Sequence, residues 1–308
     1  MALSQQEREY WENIICNTGG TREVMLKSRE FPEKLKQCTE KVERQECTVP
    51  VNKEGIPDVR IVITKALDRK KGCPVHINCH GGGFVFPQGE DDDFYCAHIA
   101  SGMHGIVVDV DYAVGPDYPF PTAFEQSYFI AFWVFSQCEA WEADKNRVSM
   151  GGQSAGANLT AAVALRANES KDFRLCLQVL QYAVMDFATD PANKPEARRQ
   201  TDGAIERMRA FDAYYTAGDD NLNLLPFVSP GRATEKMIKG LPATLIITAG
   251  KCNLRFEDEA YGMRLAASGS EVTIKRFLNS RHGFAGRMVD EWWEAQECVI
   301  RAINRTSL

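Results

Sequence analysis

What this chain can fold into is limited above all by a hydrophobic period that keeps switching between that of a strand and that of a helix. Short β-branched or apolar runs stand at 59–64, 74–79, 105–111, 147–150, 175–183, 243–248 and 272–277. Stretches of helical period lie at 122–138, 155–167, 256–267 and 286–303. Strands that are apolar on both faces and alternate with helices predict a mainly parallel sheet covered on both sides. The fold class is therefore α/β, and in such sheets ligands bind outside the carboxyl ends of the strands.

Two regions depart from the alternation. Residues 1–48 are charged and helical in period, with Tyr10, Trp11, Ile14 and Ile15 at helical spacing and no strand signal, and they are expected to form an N-terminal helical segment. Residues 187–230 carry Asp, Arg, Pro, aromatic and Gly residues, with one helix expected over 205–215. The two regions together are expected to cap the site of a catalytic domain spanning 49–308, since a chain of 308 residues with 44% hydrophobic content supports one large core.

Charge and composition exclude several partners. A net charge of −6 provides no basic field to gather nucleic acid. No apolar run approaches the roughly 20 residues that a membrane span needs, and the N-terminus does not read as a signal peptide. A location in the cytoplasm and no membrane association are expected. The ten cysteines show no C-x-x-C pair and no metal-ligand spacing, so reduced thiols, several of them in the core, and no metal are expected.

Three motifs carry chemistry. Gly152-Gln153-Ser154-Ala155-Gly156 is a G-x-S-x-G pentapeptide between a predicted strand and a predicted helix. A serine on so sharp a turn needs small neighbours on both sides, and it has them in Gly151, Gly152, Ala155 and Gly156. His80-Gly81-Gly82-Gly83-Phe84 follows the strand ending at Cys79. Three successive glycines cost backbone entropy and are tolerated where main chain must approach a ligand closely. The N–H groups of Gly81, Gly82 and Ala155 are the expected oxyanion hole, and His80 is expected to shape the loop. The third motif, Ser280-Arg281-His282-Gly283-Phe284, follows the last strand. That is where a triad of chain order serine, acid, histidine places its base; His76, His80, His98 and His104 all precede the serine. Ser154 is the expected nucleophile and His282 the expected base.

These motifs, with Asp111-Tyr112, Pro116, Pro119-Phe120-Pro121, Asn158, Ser229-Pro230, Leu241-Pro242 and Ala249-Gly250 in order, resemble the hormone-sensitive-lipase branch of the α/β-hydrolases over residues 57–300. The resemblance implies an eight-stranded, mostly parallel sheet with a helical cap, no cofactor, and carboxylesterase activity on short- to medium-chain acyl esters. An amidase or deacetylase shares every motif. A ligand-binding protein built on a disabled hydrolase is the reading from another class.

The chain departs from that family at the acid, where the expected aspartate falls on Cys252. A neutral thiol does not supply a carboxylate's charge. Glu257 is the nearest replacement, with Asp258 behind it, although both also suit the opening turn of a predicted helix, where the dipole favours acidic residues. Gln153 stands before the serine, where Asp or Thr is frequent in this branch. Phe84, Phe86, Tyr214 and Tyr215 are the expected apolar pocket for a small-molecule ester. A homodimer is left open.

Overall fold

The computed structural model describes residues 2–18, 31–195 and 197–307. The N-terminal helix α1 (Gln5–Asn17) is capped by Ser4, whose hydroxyl accepts from the Glu7 N–H while the Glu7 carboxylate accepts from Ser4 N–H. A short helix α2 (Glu33–Thr39) precedes strands β1 (Val42–Val49), β2 (Val59–Ala66) and β3 (Cys73–Cys79). Helix α3 (Glu90–Met103) leads to β4 (Ile106–Asp111), α4 (Thr122–Gln137) to β5 (Ala143–Gln153), and α5 (Ala155–Ser170) to β6 (Leu177–Gln181). Helices α6 (Asp202–Thr216) and α7 (Glu235–Ile238) lie between β6 and β7 (Ala243–Ala249). The chain ends with α8 (Arg255–Ala267), β8 (Val272–Phe277) and α9 (Trp292–Arg305).

The eight strands form one sheet in the order β1-β2-β4-β3-β5-β6-β7-β8. β2 runs antiparallel to both β1 and β4, and the other pairings are parallel. Two apolar clusters, one on each face, bury the central strands. Val75, Ile77, Val108, Val148 and Met150 belong to the first, with α4 and α5 packed on it. Val107, Leu177, Val179, Leu245 and Ile247 belong to the second, with α3 and α9 on it. The two-faced burial explains why these strands read as near-continuous apolar runs.

β1 corrects the reading of 1–48 as helical, and the boundary drawn at 48 falls inside this strand. Its inner residues Arg44, Gln45 and Glu46 are exposed because β1 is a sheet edge, and the edge carries ion pairs from Arg44 to Glu46 and from Arg60 to Glu46. Charge on an edge strand removes the hydrophobic alternation while discouraging edge-to-edge pairing. The N-terminal helices also part company. α1 packs against α6, whereas α2 lies on α3 with Leu35 fully buried. Among the described residues, no helix is long and apolar enough to cross a membrane.

Candidate active site

The strand-to-helix turn after β5 sets the first group. Ser154 sits at φ 53°, ψ −111°, a strained conformation for a residue with a Cβ. Its N–H donates to the Gln181 carbonyl at 2.9 Å, which ties the turn to β6. The small neighbours are needed for contact on both sides. A Cβ on Gly152 would lie 2.4 Å from the Cys79 carbonyl oxygen, and one on Gly156 would lie 1.9 Å from the same atom. α5 is thereby seated directly on the backbone at the end of β3, where the glycine loop begins.

That loop is held by its own polar groups. His80 is fully buried, its ring stacked 4.1 Å from that of Tyr112, with Nδ1 2.7 Å from the Gly81 carbonyl; Tyr112 Oη donates to the His80 carbonyl at 2.8 Å. Burial holds the His80 imidazole below its ordinary pKa. Gly82 at φ 123° and Gly83 at φ 63° occupy backbone conformations that side chains rarely adopt. Among the described residues, the N–H groups of Gly81, Gly82 and Ala155 have no backbone acceptor, so all three remain available.

His282, on the turn after β8, brings Nε2 to 3.0 Å from Ser154 Oγ. Its other ring nitrogen, Nδ1, lies 3.2 Å from Cys252 Sγ. The Tyr182 ring lies edge-on at 5.2 Å, and Tyr182 Oη accepts from the Gly286 N–H at 3.0 Å, fixing the turn that carries the histidine. Burial, with smaller contributions from the positive charges of Arg287 and Arg207, lowers the His282 pKa to about 4. Burial pushes the Cys252 thiol up to about 12, so the sulfur facing the imidazole is uncharged at neutral pH.

The expected carboxylate is elsewhere. Glu257 opens α8, but its oxygens accept from Lys194 Nζ at 3.1 and 3.2 Å, and Lys194 also donates to the Asp186 carbonyl. Lys194 and Glu257 are both largely removed from water, and such a pair is held tightly because breaking it strands a buried charge. Burial raises Glu257 to about 7 although Lys194 pulls it down. Asp258 is fully buried, and burial together with the charge of Glu257 raises its pKa well above the usual carboxylate range. The assignment of Glu257 as partner of His282 is thus corrected: the structure pairs the glutamate with Lys194 and sets Cys252 against the imidazole. Nothing in the irregular 187–230 segment signals Lys194 as the partner.

The aromatic expectations also change. Phe84 is 2% exposed and stacks on Tyr215 at 3.6 Å, with Phe187 beside both. Tyr214 is buried between α6 and α1, its hydroxyl donating to the Arg8 carbonyl at 3.2 Å. These three side chains join the insertion to the body and do not line an open pocket. Phe86 is partly exposed and meets Phe211 edge-on at 6.0 Å. Phe211, one helical turn before Tyr215, covers the glycine loop so closely that a Cβ on Gly83 would lie 2.4 Å from its ring. Met208 reaches Asn253, beside Cys252. Sequence reading missed both Phe211 and Met208, although they share α6 with Tyr214 and Tyr215. Of the other motif residues, Asn158 donates to the Val184 and Val228 carbonyls, and Ser229 Oγ accepts from Phe187 N–H, so both anchor the insertion. Gln153 donates to Asn78 at 3.3 Å beneath the turn. Among the described residues, no group of three His, Cys, Asp or Glu side chains is placed to hold a metal ion.

A strained serine facing a histidine, with free amides alongside, is an arrangement capable of covalent acyl transfer. Residues 76–286 match the family model described as alpha/beta hydrolase fold. The chain is 32% identical over 216 residues to the esterase LipI of Mycobacterium tuberculosis, covering 69% of this chain and 66%, just under two thirds, of LipI. It is 28% identical over 243 residues to the carboxylesterase NlhH of the same species, covering 76% and 73% of the two chains. Among solved structures, the hyperthermophilic esterase of the archaeon Pyrobaculum calidifontis superposes with a TM-score of 0.80 over 99% of this chain and 98% of that one, at 26% identity. The chain belongs to the α/β-hydrolase family, and LipI, NlhH and the Pyrobaculum protein, to which it is similar, are esterases.

Proposed function

We propose that this protein is a serine carboxylesterase acting on small acyl esters, with Ser154 as nucleophile and His282 as base. The observation that carries the reading is the 3.0 Å separation of His282 Nε2 and Ser154 Oγ beside the free amides of Gly81, Gly82 and Ala155. Ser154 Oγ attacks the ester carbonyl as its proton passes to Nε2, and the carbonyl oxygen becomes an oxyanion facing the three amides. Collapse of that intermediate breaks the C–O bond, and His282 returns the proton to the departing alkoxide. Water then repeats the sequence on the acyl-serine, releasing a carboxylic acid and the free enzyme.

For Nε2 to accept a proton, Nδ1 must carry one. Cys252 Sγ is then the acceptor of the Nδ1–H and orients the ring in the way a carboxylate would, without a formal charge to stabilise the imidazolium. The reading is tested with a fluorophosphonate probe and 4-nitrophenyl esters. Wild-type protein should be labelled and should turn over, and Ser154→Ala should lose the label and at least about 10³-fold in kcat. Unlabelled wild-type protein that binds small ligands would instead support the receptor-like reading, which the uncharged partner of His282 favours.

A further inference from the structure

Beneath the Ser154 turn a row of polar side chains crosses the sheet. Asp109 on β4, Asn78 on β3, Gln153 on β5 and Gln181 on β6 come from four neighbouring strands, and all four are buried. The registers bring them side by side. Asn78 is level with Asp109 and with Gly151; Gln153, two residues beyond Gly151, projects to the same face and is level with Gln181. Asn78 Nδ2 donates to Asp109 Oδ1 at 2.6 Å, Gln153 Nε2 donates to Asn78 Oδ1 at 3.3 Å, and Gln181 Nε2 donates to Tyr95 Oη on α3 at 2.8 Å. A polar group away from water is costly unless it is bonded, so each amide is held to one orientation by its neighbour. Asp109 accepts, which turns the Asn78 amino group toward β4 and leaves the Asn78 oxygen for Gln153.

Gln153 is also where this row meets the three segments of the site. Its backbone leads directly into Ser154, whose N–H is held by the Gln181 carbonyl. A Cβ on Gly81 would lie 3.2 Å from the Gln153 carbonyl oxygen and 3.7 Å from Gln153 Cβ, so the glycine loop rests against this residue. A Cβ on Gly286, four residues after His282, would lie 3.7 Å from Gln153 Cγ, so the histidine turn rests against it as well.

We propose that Gln153 is a positioning residue for acyl transfer: fixed by Asn78 and Asp109, it holds the Ser154 turn, the glycine loop and the His282 turn in mutual register. The proposal rests on the ester-hydrolase reading and adds a residue to its machinery. Placement of this kind matters because a shift of about 1 Å between reacting groups costs on the order of 10²-fold in rate.

The test separates holding from filling. Gln153→Met keeps the length of the side chain and removes its amide. With 4-nitrophenyl butyrate, and active sites counted by fluorophosphonate titration, its kcat should fall about tenfold or more while KM stays within about twofold, the pattern of an interaction needed only in the transition state. Asn78→Leu should give a similar fall, and the two changes together no further one, since the residues act as a unit; if Gln153→Met does not fold, the kcat of Asn78→Leu decides. Exchanging the pair, Asn78→Asp with Asp109→Asn, keeps an acceptor for Gln153 and should hold kcat within about threefold of wild type. Were the row only core packing, Gln153→Met would lower the urea midpoint and leave kcat per titrated site unchanged, which overturns the proposal while the esterase reading stands. Losses that add in the double variant, or an exchanged pair as slow as Asn78→Leu, overturn it too. Should wild type take no fluorophosphonate and turn over no ester, the esterase reading fails on its own. Nitrogen NMR of isotope-labelled histidine then decides: a His282 Nε2 resonance displaced in Gln153→Met upholds the positioning role, and one that does not move removes it.

Discussion

The exchange of a carboxylate for a thiol at Cys252 has consequences that can be measured. A neutral sulfur against Nδ1 leaves burial and two guanidinium groups to hold the His282 pKa near 4, so the base stays unprotonated far into acid. The acid limb of kcat/KM is expected near pH 4, not near the ordinary histidine value of about 6.5. Because the folded-state pKa is depressed, this group contributes stability above about pH 6.5 and loses it as pH falls toward 4. Cys252→Asp places a charge where it favours the imidazolium. We expect kcat to rise about tenfold or more and the acid limb to move up; a limb that stays near 4 would show that the aspartate does not reach Nδ1. Glu257→Ala tests the corrected assignment. With Lys194 left in the interior without its carboxylate, stability should fall by about 3–5 kcal/mol in urea melts, while kcat of the folded protein changes less than about tenfold. The additional change Lys194→Met should recover much of the loss. Ser154, His282 and the glycine loop were legible because each needs particular small or chemical residue types in a fixed order. The partner of His282 was not, since a cysteine in the sequence does not announce that it accepts a hydrogen bond in place of an aspartate.

At the scale of elements, legibility followed burial. The central strands are covered on both faces and their apolar runs give them away, while β1, at the edge, is written in charge and was read as helix. α6 was found within the insertion, but which of its faces meets the site depends on how it leans on α1 and on the glycine loop. Those are contacts between distant stretches that periodicity does not encode. The aromatic residues chosen for the pocket, Phe84, Tyr214 and Tyr215, turned out to be the mortar between insertion and body, because large rings supply the most burial where two layers meet. The joint between α5 and β3 makes a further prediction. A methyl on Gly156 meets the Cys79 carbonyl at 1.9 Å, and backbone yields less than a side chain. Gly156→Ala should therefore cost about 3 kcal/mol or more in chemical denaturation and remove activity even in the fraction that folds.

Over the whole molecule, the ten thiols report on the integrity of the two cores. All are free; Cys16 is exposed, Cys47 and Cys298 are half-buried, and the remaining seven are buried. In native protein a thiol reagent should modify Cys16 rapidly and Cys47 and Cys298 slowly, with the other seven reacting only on unfolding. Fast modification of Cys252 in native protein would contradict its placement behind His282.

Because α5 rests on the end of β3 backbone to backbone, the spacing between the Ser154 hydroxyl and the amides opposite it is set by main chain. The molecule keeps a rigid gauge for one carbonyl group and surrounds it with exchangeable jaws: Phe211 and Met208 on one side, Cys252 on the other. Diversity among such enzymes can thus accumulate in what they grip while the dimension at which they polarise a bond stays constant, and a library confined to the jaws should yield altered selectivity far more often than loss of the fold.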